Sequence, residues 1–333
     1  PKVPGVKGLD TAGILRAAAD GKIDTLVLLG ADPLADFPDR DLAERGLAGA
    51  RTVIALDQFL TESVKQAEVV LPVAGYAEVS GTTTNLEGRV SALAQNVTPP
   101  GTAQSDWIVA ADLAARLGFD LGVESVAQLA AEIEDAAPAF SGLTAEVLAS
   151  ATGRDGVVVM LPIRRSGNGA EESAAAEGAL AVAEIDDAVV AAESNEGTTP
   201  ELEETLVLPP TSGVPLPVWT IIDPPSVDAY SLRLVVTRKL YDRGTLVRNS
   251  PSLSELAEPA TLRLHPQNFD RLGVGAGDDV RITSTKGNVT VPTVPDAGVP
   301  RGIAHLYANR AGGRANILID GNAPITDVRV ERP

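Results

Sequence analysis

The residues best suited to bind a ligand follow directly after a short apolar run at 69–72. The next positions carry hydroxyl, amide, carboxylate and guanidinium groups, and the candidates for contacts to a ligand are Thr82, Asn85, Glu87 and Arg89. A polar loop beside an apolar strand end is either a cradle for a ligand or a surface loop held together by its own side-chain to backbone hydrogen bonds. The spacing alone leaves both interpretations open.

Three apolar runs must position that loop, and they predict strands at 25–29, 51–56 and 69–72. Short helical patterns separate the runs, so the order of elements predicts a parallel sheet with right-handed crossovers. The first and third runs are apolar throughout, which is typical of strands that are covered on both faces. The sequence therefore predicts a parallel α/β arrangement for the first half of the chain.

The carboxyl ends of these strands carry further candidate ligand-binding residues. Gly30 and Asp32 follow the first strand and Asp57 follows the second, and such strand ends meet at one edge of a parallel sheet. A glycine there lets a backbone approach, and a carboxylate can accept hydrogen bonds from ribose or from a guanine edge. The simpler interpretation is that both aspartates end strands and cap the helices that follow.

The last third of the chain is rich in predicted strands with turn signals between them, which indicates a small closed barrel. One short helix is predicted at 266–272, where Pro266 opens it and Gly273 follows its end. His265 lies at the start of that helix and His305 lies in a strand or loop. For both histidines a structural role is commoner than contact with a ligand.

Composition excludes several classes of function. The chain has 27 basic and 45 acidic residues and a net charge of −18, which argues against nucleic acid and anionic membrane surfaces as partners. It has no cysteine, which excludes disulfides, thiolate zinc sites and iron–sulfur clusters bound by its own residues. No apolar run approaches the roughly 20 residues of a membrane helix. We predict no catalytic residues, no metal site and no direct membrane insertion.

The region at 161–225 is predicted to be an acidic insertion or linker rich in Gly, Ala and Pro. Its core at 164–210 has too few large apolar residues to offset the entropy of ordering it alone. It is therefore expected to be a linker or an insertion that lies on a partner. Because the chain begins at Pro1 without a methionine, we read it as the C-terminal portion of a longer protein.

The loop SGTTTNLEGR after the VVLP run resembles the signature of the molybdopterin oxidoreductase superfamily. Its form is most similar to that of the large iron–sulfur subunit of NADH-quinone oxidoreductase, respiratory complex I. Two later blocks, at 240–256 and 264–287, resemble the C-terminal barrel of the superfamily. The resemblance implies a partial Rossmann-like α/β domain of the molybdopterin oxidoreductase type at 1–160. It also implies a double-psi β-barrel of the molybdopterin dinucleotide-binding type at 226–333.

The resemblance to the large iron–sulfur subunit implies a structural C-terminal part of the complex I peripheral arm, with no cofactor in this segment. It would support NADH-to-quinone electron transfer coupled to proton translocation. Iron–sulfur clusters of the [4Fe-4S] and [2Fe-2S] types are implied upstream. Other peripheral-arm subunits are the implied partners, on the cytoplasmic side of the bacterial plasma membrane. The implied relic pocket would be lined by Gly30, Asp32, Asp57, Thr82, Asn85, Glu87, Arg89, His265 and Asn316.

The same resemblance supports an alternative, the C-terminal half of an active molybdenum or tungsten bis-pterin oxidoreductase such as a formate dehydrogenase or nitrate reductase. In those enzymes the corresponding strand ends hold the nucleotide half of the cofactor, and Asn309 and Asn316 lie where the barrel would help to close over it. A third hypothesis is a nucleotide-binding regulator. The absence of a G-x-G-x-x-G sequence after any predicted strand argues against that hypothesis.

Overall fold

The computed structural model has an α/β part followed by a closed β-barrel, as the sequence predicts. Most of the predicted acidic segment at 161–225 lies outside the described residues. No helix in the described part of the chain combines the length and the apolar character needed to cross a membrane. The structure describes five ranges of the chain: 8–85, 87–137, 140–150, 156–159 and 225–333.

The α/β part contains a parallel sheet of order β1-β2-β3 and a second sheet of order β4-β5-β6. The first sheet pairs in the parallel sense throughout, which confirms the predicted crossover order. The short helical pattern before β3 forms only a 3₁₀ turn, Val64–Gln66. The elements are α1 (Thr11–Ala19), β1 (Thr25–Leu29), α2 (Pro33–Asp36), α3 (Arg40–Gly49), β2 (Thr52–Asp57), β3 (Val69–Pro72), β4 (Gly81–Thr84), β5 (Arg89–Leu93), α4 (Asp106–Arg116), α5 (Val126–Ala136), α6 (Ala145–Ala149) and β6 (Val157–Val158).

Helices α1 and α3 cover one face of the first sheet and pack closely against each other. Asp10 begins α1 by accepting a hydrogen bond from the Gly13 backbone at 2.7 Å. At the crossing, a Cβ atom added to Gly49 would lie 2.7 Å from the Cα of Ala19, so only a glycine fits there. The apolar core between the helices and the sheet includes Leu15 and Val53.

The opposite face of the first sheet is only partly covered, so the prediction of strands buried on both faces is wrong for β1 and β3. Side chains of β1 alternate between buried and exposed, and Val27 and Leu29 are 51% and 60% exposed. Val69 of β3 is exposed as well. Helix α4 lies beside the β3 side and forms an apolar groove with it. An apolar strip therefore remains in water on this face of the described structure.

The polar loop predicted after β3 is a β-hairpin, because β4 and β5 pair in antiparallel register with Thr82 opposite Ala92. Asn85 holds its turn, since its side-chain oxygen accepts hydrogen bonds from the backbones of Glu87 and Arg89, both at 2.9 Å. This is the second of the two interpretations that the sequence allowed, a surface segment held by its own hydrogen bonds.

The barrel closes with the strand order β10-β8-β11-β7-β12-β9, which confirms the predicted double-psi β-barrel fold. Helix α8 has the predicted bounds, and Gly273 at its end takes the left-handed conformation with φ 61°. Inward-facing side chains such as Leu262, Ile282 and Leu306 form the core. The elements are β7 (Leu232–Thr237), α7 (Thr245–Arg248), β8 (Leu262–Leu264), α8 (Pro266–Leu272), β9 (Asp279–Thr283), β10 (Asn288–Pro295), β11 (Ile303–Tyr307) and β12 (Asp327–Glu331).

Candidate functional site

A cleft of about 770 Å³ lies where the carboxyl edge of the first sheet meets the barrel. We call it the cationic cleft, because basic side chains from both parts line it while Glu62 is its one acidic lining residue among those described. In a chain of net charge −18 this is a local reversal of sign. The basic lining residues are Lys65 of the α/β part and Arg243, Arg248, Arg310 and Arg314 of the barrel part.

Asp32 is a buried carboxylate at the edge of this cleft, with a side chain that is only 2% exposed. One carboxylate oxygen accepts hydrogen bonds from the Ser63 hydroxyl at 2.6 Å and from the Ser63 backbone at 3.3 Å. The other has no hydrogen-bond partner among the described residues and lies 3.6 Å from the Arg248 guanidinium. Asp32 therefore joins the ends of β1 and β2 and holds Arg248 by charge.

Glu62 connects the two parts of the structure directly. Its carboxylate accepts two hydrogen bonds from Arg314 of the barrel, one of them at 2.6 Å, and a third from Arg40 of α3 at 3.2 Å. The hydrogen bonds from Arg314 lower the pKa of the Glu62 carboxyl, although burial opposes them. Arg314 is therefore neutralised within the chain.

Asn316 and Asn309 lie at the same contact between the two parts. The Asn316 amide donates to the backbone oxygens of Leu34 at 3.1 Å and Phe37 at 3.2 Å. Asn309, in a left-handed conformation with φ 51°, donates to Asp36 at 3.4 Å. Burial raises the pKa of the Asp36 carboxyl. In this structure the two asparagines bind the α/β part itself.

Lys286 at the β9–β10 turn forms a further connection. Its ammonium lies 3.2 Å from Asp41, 3.9 Å from Asp39 and 3.8 Å from Asp320. Asp39, which is fully buried, also accepts a hydrogen bond from the Gly321 backbone at 2.8 Å. The barrel is thus fixed to the carboxyl edge of the sheet by several polar contacts.

The four predicted residues of the hairpin are not among the residues that line the cationic cleft. Thr82 is exposed on β4, and Asn85 holds the turn. Glu87 lies 3.5 Å from the guanidinium of Arg89, which also donates to the backbone oxygen of Gly156 at 3.2 Å. These contacts organise the hairpin and its neighbour β6.

Three other predicted residues also lie outside the lining. Gly30 takes φ 56° at the end of β1. Asp57 accepts a hydrogen bond from the Phe59 backbone at 3.0 Å, and His265 accepts one from the Gln267 backbone at 3.1 Å at the start of α8. Of the nine predicted pocket residues, only Asp32 and Asn316 lie at the contact between the two parts.

Sequence reasoning missed the basic residues that define the cleft. A usable signal was present, because two arginine pairs, Arg243 with Arg248 and Arg310 with Arg314, interrupt a strongly acidic chain. Arg310 is the most informative of them. It is 4% exposed and donates to the backbone oxygen of Glu258 at 3.2 Å, while its Nε and one terminal nitrogen have no hydrogen-bond partner among the described residues.

The cationic cleft fits an anionic ligand. Guanidinium groups recognise phosphate and carboxylate through paired hydrogen bonds, and Arg243 and Lys65 form no ion pair with any described residue. The described residues hold no group of three or more His, Cys, Asp or Glu side chains that would bind a metal ion. No aromatic side chain is present among the lining residues that the structure describes.

A parallel α/β sheet whose carboxyl edge meets a closed barrel across a ligand-sized cleft defines a two-part binding fold. Residues 2–116 match the family described as molybdopterin oxidoreductase. Residues 232–329 match the family described as molydopterin dinucleotide binding domain. The chain therefore carries two domains of the molybdopterin oxidoreductase type.

Similar proteins include several kinds of oxidoreductase component. One NADH-quinone oxidoreductase subunit of Rhizobium meliloti (strain 1021) is 27% identical over 322 residues, which are 96% of this chain and 31% of that protein. F420-dependent formate dehydrogenase 2 subunit alpha of Methanococcus maripaludis is 26% identical over 308 residues, 90% of this chain and 40% of that protein. This chain thus spans less than half the length of either relative.

The fold is also that of a solved structure, acetylene hydratase from Pelobacter acetylenicus. The TM-score is 0.65 at 17% identity, and the match covers 96% of this chain and 46% of that one. At this identity the likeness concerns the fold alone.

Proposed function

We propose that the chain is the C-terminal structural part of a large iron–sulfur subunit of complex I. In this role it supports NADH-to-quinone electron transfer, coupled to proton translocation, without a cofactor of its own. One observation carries the proposal: polar groups at the carboxyl edge of the sheet are used to join the two parts of the chain. Glu62 binds Arg314, and Asn316 binds the backbone at Leu34 and Phe37.

The relationship to the NADH-quinone oxidoreductase subunit of Rhizobium meliloti supports this proposal over nearly the whole chain. In that setting the chain braces an upstream portion that carries the [4Fe-4S] and [2Fe-2S] clusters. It contacts other subunits of the peripheral arm on the cytoplasmic side of the plasma membrane. The electron path runs through those clusters, since this chain has no cysteine to bind one.

Metal and pterin analysis of the full-length protein tests the proposal. Molybdenum, tungsten and iron are measured by mass spectrometry, and pterin by the fluorescence of its oxidised form. We expect iron with neither molybdenum nor tungsten and without pterin. Stoichiometric molybdenum or tungsten together with pterin would overturn the proposal.

A second candidate function is that of an active bis-pterin oxidoreductase, and the free cations of the cleft favour it. Arg243, Arg248 and Arg310 would hold the phosphates of a pterin dinucleotide, and the free carboxylate oxygen of Asp32 would accept a hydrogen bond from it. The bound metal would supply the redox chemistry, while these residues orient the ligand. The relationship to a formate dehydrogenase subunit supports this candidate, and the same metal and pterin analysis separates it from the first.

A further inference from the structure

The cationic cleft has more positive charge than the described residues of the chain neutralise. Glu62 satisfies Arg314 and Asp32 lies beside Arg248, but Arg243 and Lys65 have no ion-pair partner among the described residues. Concentrated positive charge in a cleft with protein walls attracts anions, because the field is focused there. The cleft therefore has a place for at least one further negative group.

Arg310 supplies an independent observation at the same place. Its side chain lines the cleft and is almost fully buried, since only 4% of the residue is exposed. Two of its three guanidinium nitrogens lack a hydrogen-bond partner in the described part of the chain. A buried donor without a partner is costly, so a carboxylate that approaches this wall gains more than it would at the open surface.

The rim of the cleft is apolar, which narrows the kind of anion. Leu60 lines the cleft from the α/β part and is 67% exposed. Leu246 lies on α7 between the lining residues Arg243 and Arg248 and is 66% exposed. A nucleotide would leave both leucines in water, and the described lining has no aromatic ring to stack on a base. A peptide that carries both carboxylates and apolar side chains would cover the leucines and neutralise the arginines.

We infer that the cationic cleft is the docking site for an acidic segment of a neighbouring protein subunit, with leucine-like side chains between its carboxylates. The inference rests on the proposed function, because it requires that no pterin dinucleotide occupies the cleft. Charge complementarity of this kind sets the partner and the speed of assembly more than it sets the affinity.

Photo-crosslinking in the assembled complex tests the inference. Leu246 is replaced by benzoylphenylalanine in the full-length protein, which tolerates the change because the side chain is exposed. The purified complex is irradiated, and the adducts are sequenced by mass spectrometry. We expect an adduct with an acidic, leucine-containing segment of another subunit.

Charge reversal provides the matched comparison. The double change Arg243→Glu and Lys65→Glu should lower the yield of this adduct about tenfold at low salt, since it replaces two attractive charges with repulsive ones. Arg301→Glu, the same charge change at an exposed residue outside the lining, should leave the yield unchanged. If the double variant does not assemble, the adduct formed by the complex with Leu246 alone replaced decides the question.

Four results would overturn the inference: no protein adduct, an adduct with a segment that is not acidic, an equal loss for Arg301→Glu, or a nucleotide recovered stoichiometrically from the complex. Metal and pterin analysis of the same preparation keeps the two proposals apart. Iron alone without an adduct would refute only the docking site. Molybdenum or tungsten with pterin would refute the proposed function.

Discussion

At the scale of single residues, Asp32 shows how a predicted ligand contact becomes part of the scaffold. The sequence predicted a carboxylate at the end of β1, and the structure places one there. Its hydrogen bonds go to Ser63, which follows β2, and its charge lies beside Arg248 of the barrel part. The carboxylate thus connects three segments that are far apart in sequence.

Asp32→Asn should lower the free energy of unfolding by roughly 1–3 kcal/mol, because the change removes the charge beside Arg248 in a buried setting. Denaturant unfolding measures it. Asp57→Asn is the control, since Asp57 is less buried and its carboxylate accepts a hydrogen bond only from Phe59. Equal losses for both variants would show that the pair with Arg248 contributes nothing.

Thr82→Ala should leave quinone reduction by the assembled complex nearly unchanged. The side chain of Thr82 is exposed on the hairpin and does not line the cleft, and surface changes of this kind usually alter stability by less than about 0.5 kcal/mol. NADH-to-quinone activity is measured at matched levels of assembled complex. A large loss of activity with intact assembly would make the hairpin a functional element.

At the scale of elements, the crossing of α1 and α3 depends on glycine. Gly49 meets the backbone of Ala18 and Ala19, so the two helices approach more closely than any side chain would permit. This closeness lets α1 and α3 together cover one face of the first sheet. The contact could not be read from periodicity, which gives the face of a helix but not the distance to its neighbour.

Gly49→Ala should therefore destabilise the protein, even though alanine favours a helix by about 1 kcal/mol over glycine. The added methyl group would lie 2.7 Å from the Cα of Ala19, and the helices must separate to admit it. The thermal midpoint of unfolding measures the effect. Gly8→Ala is the matched control, because a Cβ there meets nothing within 4 Å, and its midpoint should not change.

The sequence predicts most elements and few of the contacts between them. Asp10 and Pro266 mark helix starts that the structure confirms, because capping is a local property. The hairpin of β4 and β5 was missed, since its threonines and glycines are as typical of loops as of strands. The cleft was missed for another reason. Arg248 and Arg314 acquire their role only through carboxylates, Asp32 and Glu62, far away in sequence.

At the scale of the whole molecule, the two parts are held together mainly through charged and polar groups. Arg314 with Glu62 and Lys286 with Asp41 join the barrel to the α/β part. Burial acts to raise the pKa of the Asp41 carboxyl, but the hydrogen bonds from Lys286 and Arg45 outweigh it and lower that pKa. Contacts of this type respond to pH and salt, whereas apolar cores do not.

The connection through Glu62 should weaken in acid. Arg314 holds the pKa of the Glu62 carboxyl below its ordinary value of 4.5, so the pair contributes fully above that pH. The contribution is lost as the pH falls through the lowered value in the folded state. Glu62→Gln should therefore unfold earlier than the original protein at about pH 7, and the gap should close in acid. A gap that does not change with pH would contradict this assignment.

The apolar strip on the open face of the first sheet should bind a dye for exposed apolar surface, such as anilinonaphthalene sulfonate. Val27→Ser with Leu29→Ser should reduce the fluorescence of the bound dye, because both side chains are exposed. Leu240→Ser, a change at an exposed leucine of the barrel part, is the control and should reduce it less. Equal reductions would mean that the strip is no special binding surface.

An uncovered strip of this kind makes the lifetime of the dispersed protein depend on its concentration. Two chains that meet through the strips of β1 bury apolar area without any specific recognition, and the rate of such encounters rises with the square of the concentration. Dilute preparations should therefore remain monodisperse far longer than concentrated ones. In a cell, overproduction of this chain relative to whatever covers the strip would lead to precipitation and a heavier chaperone load.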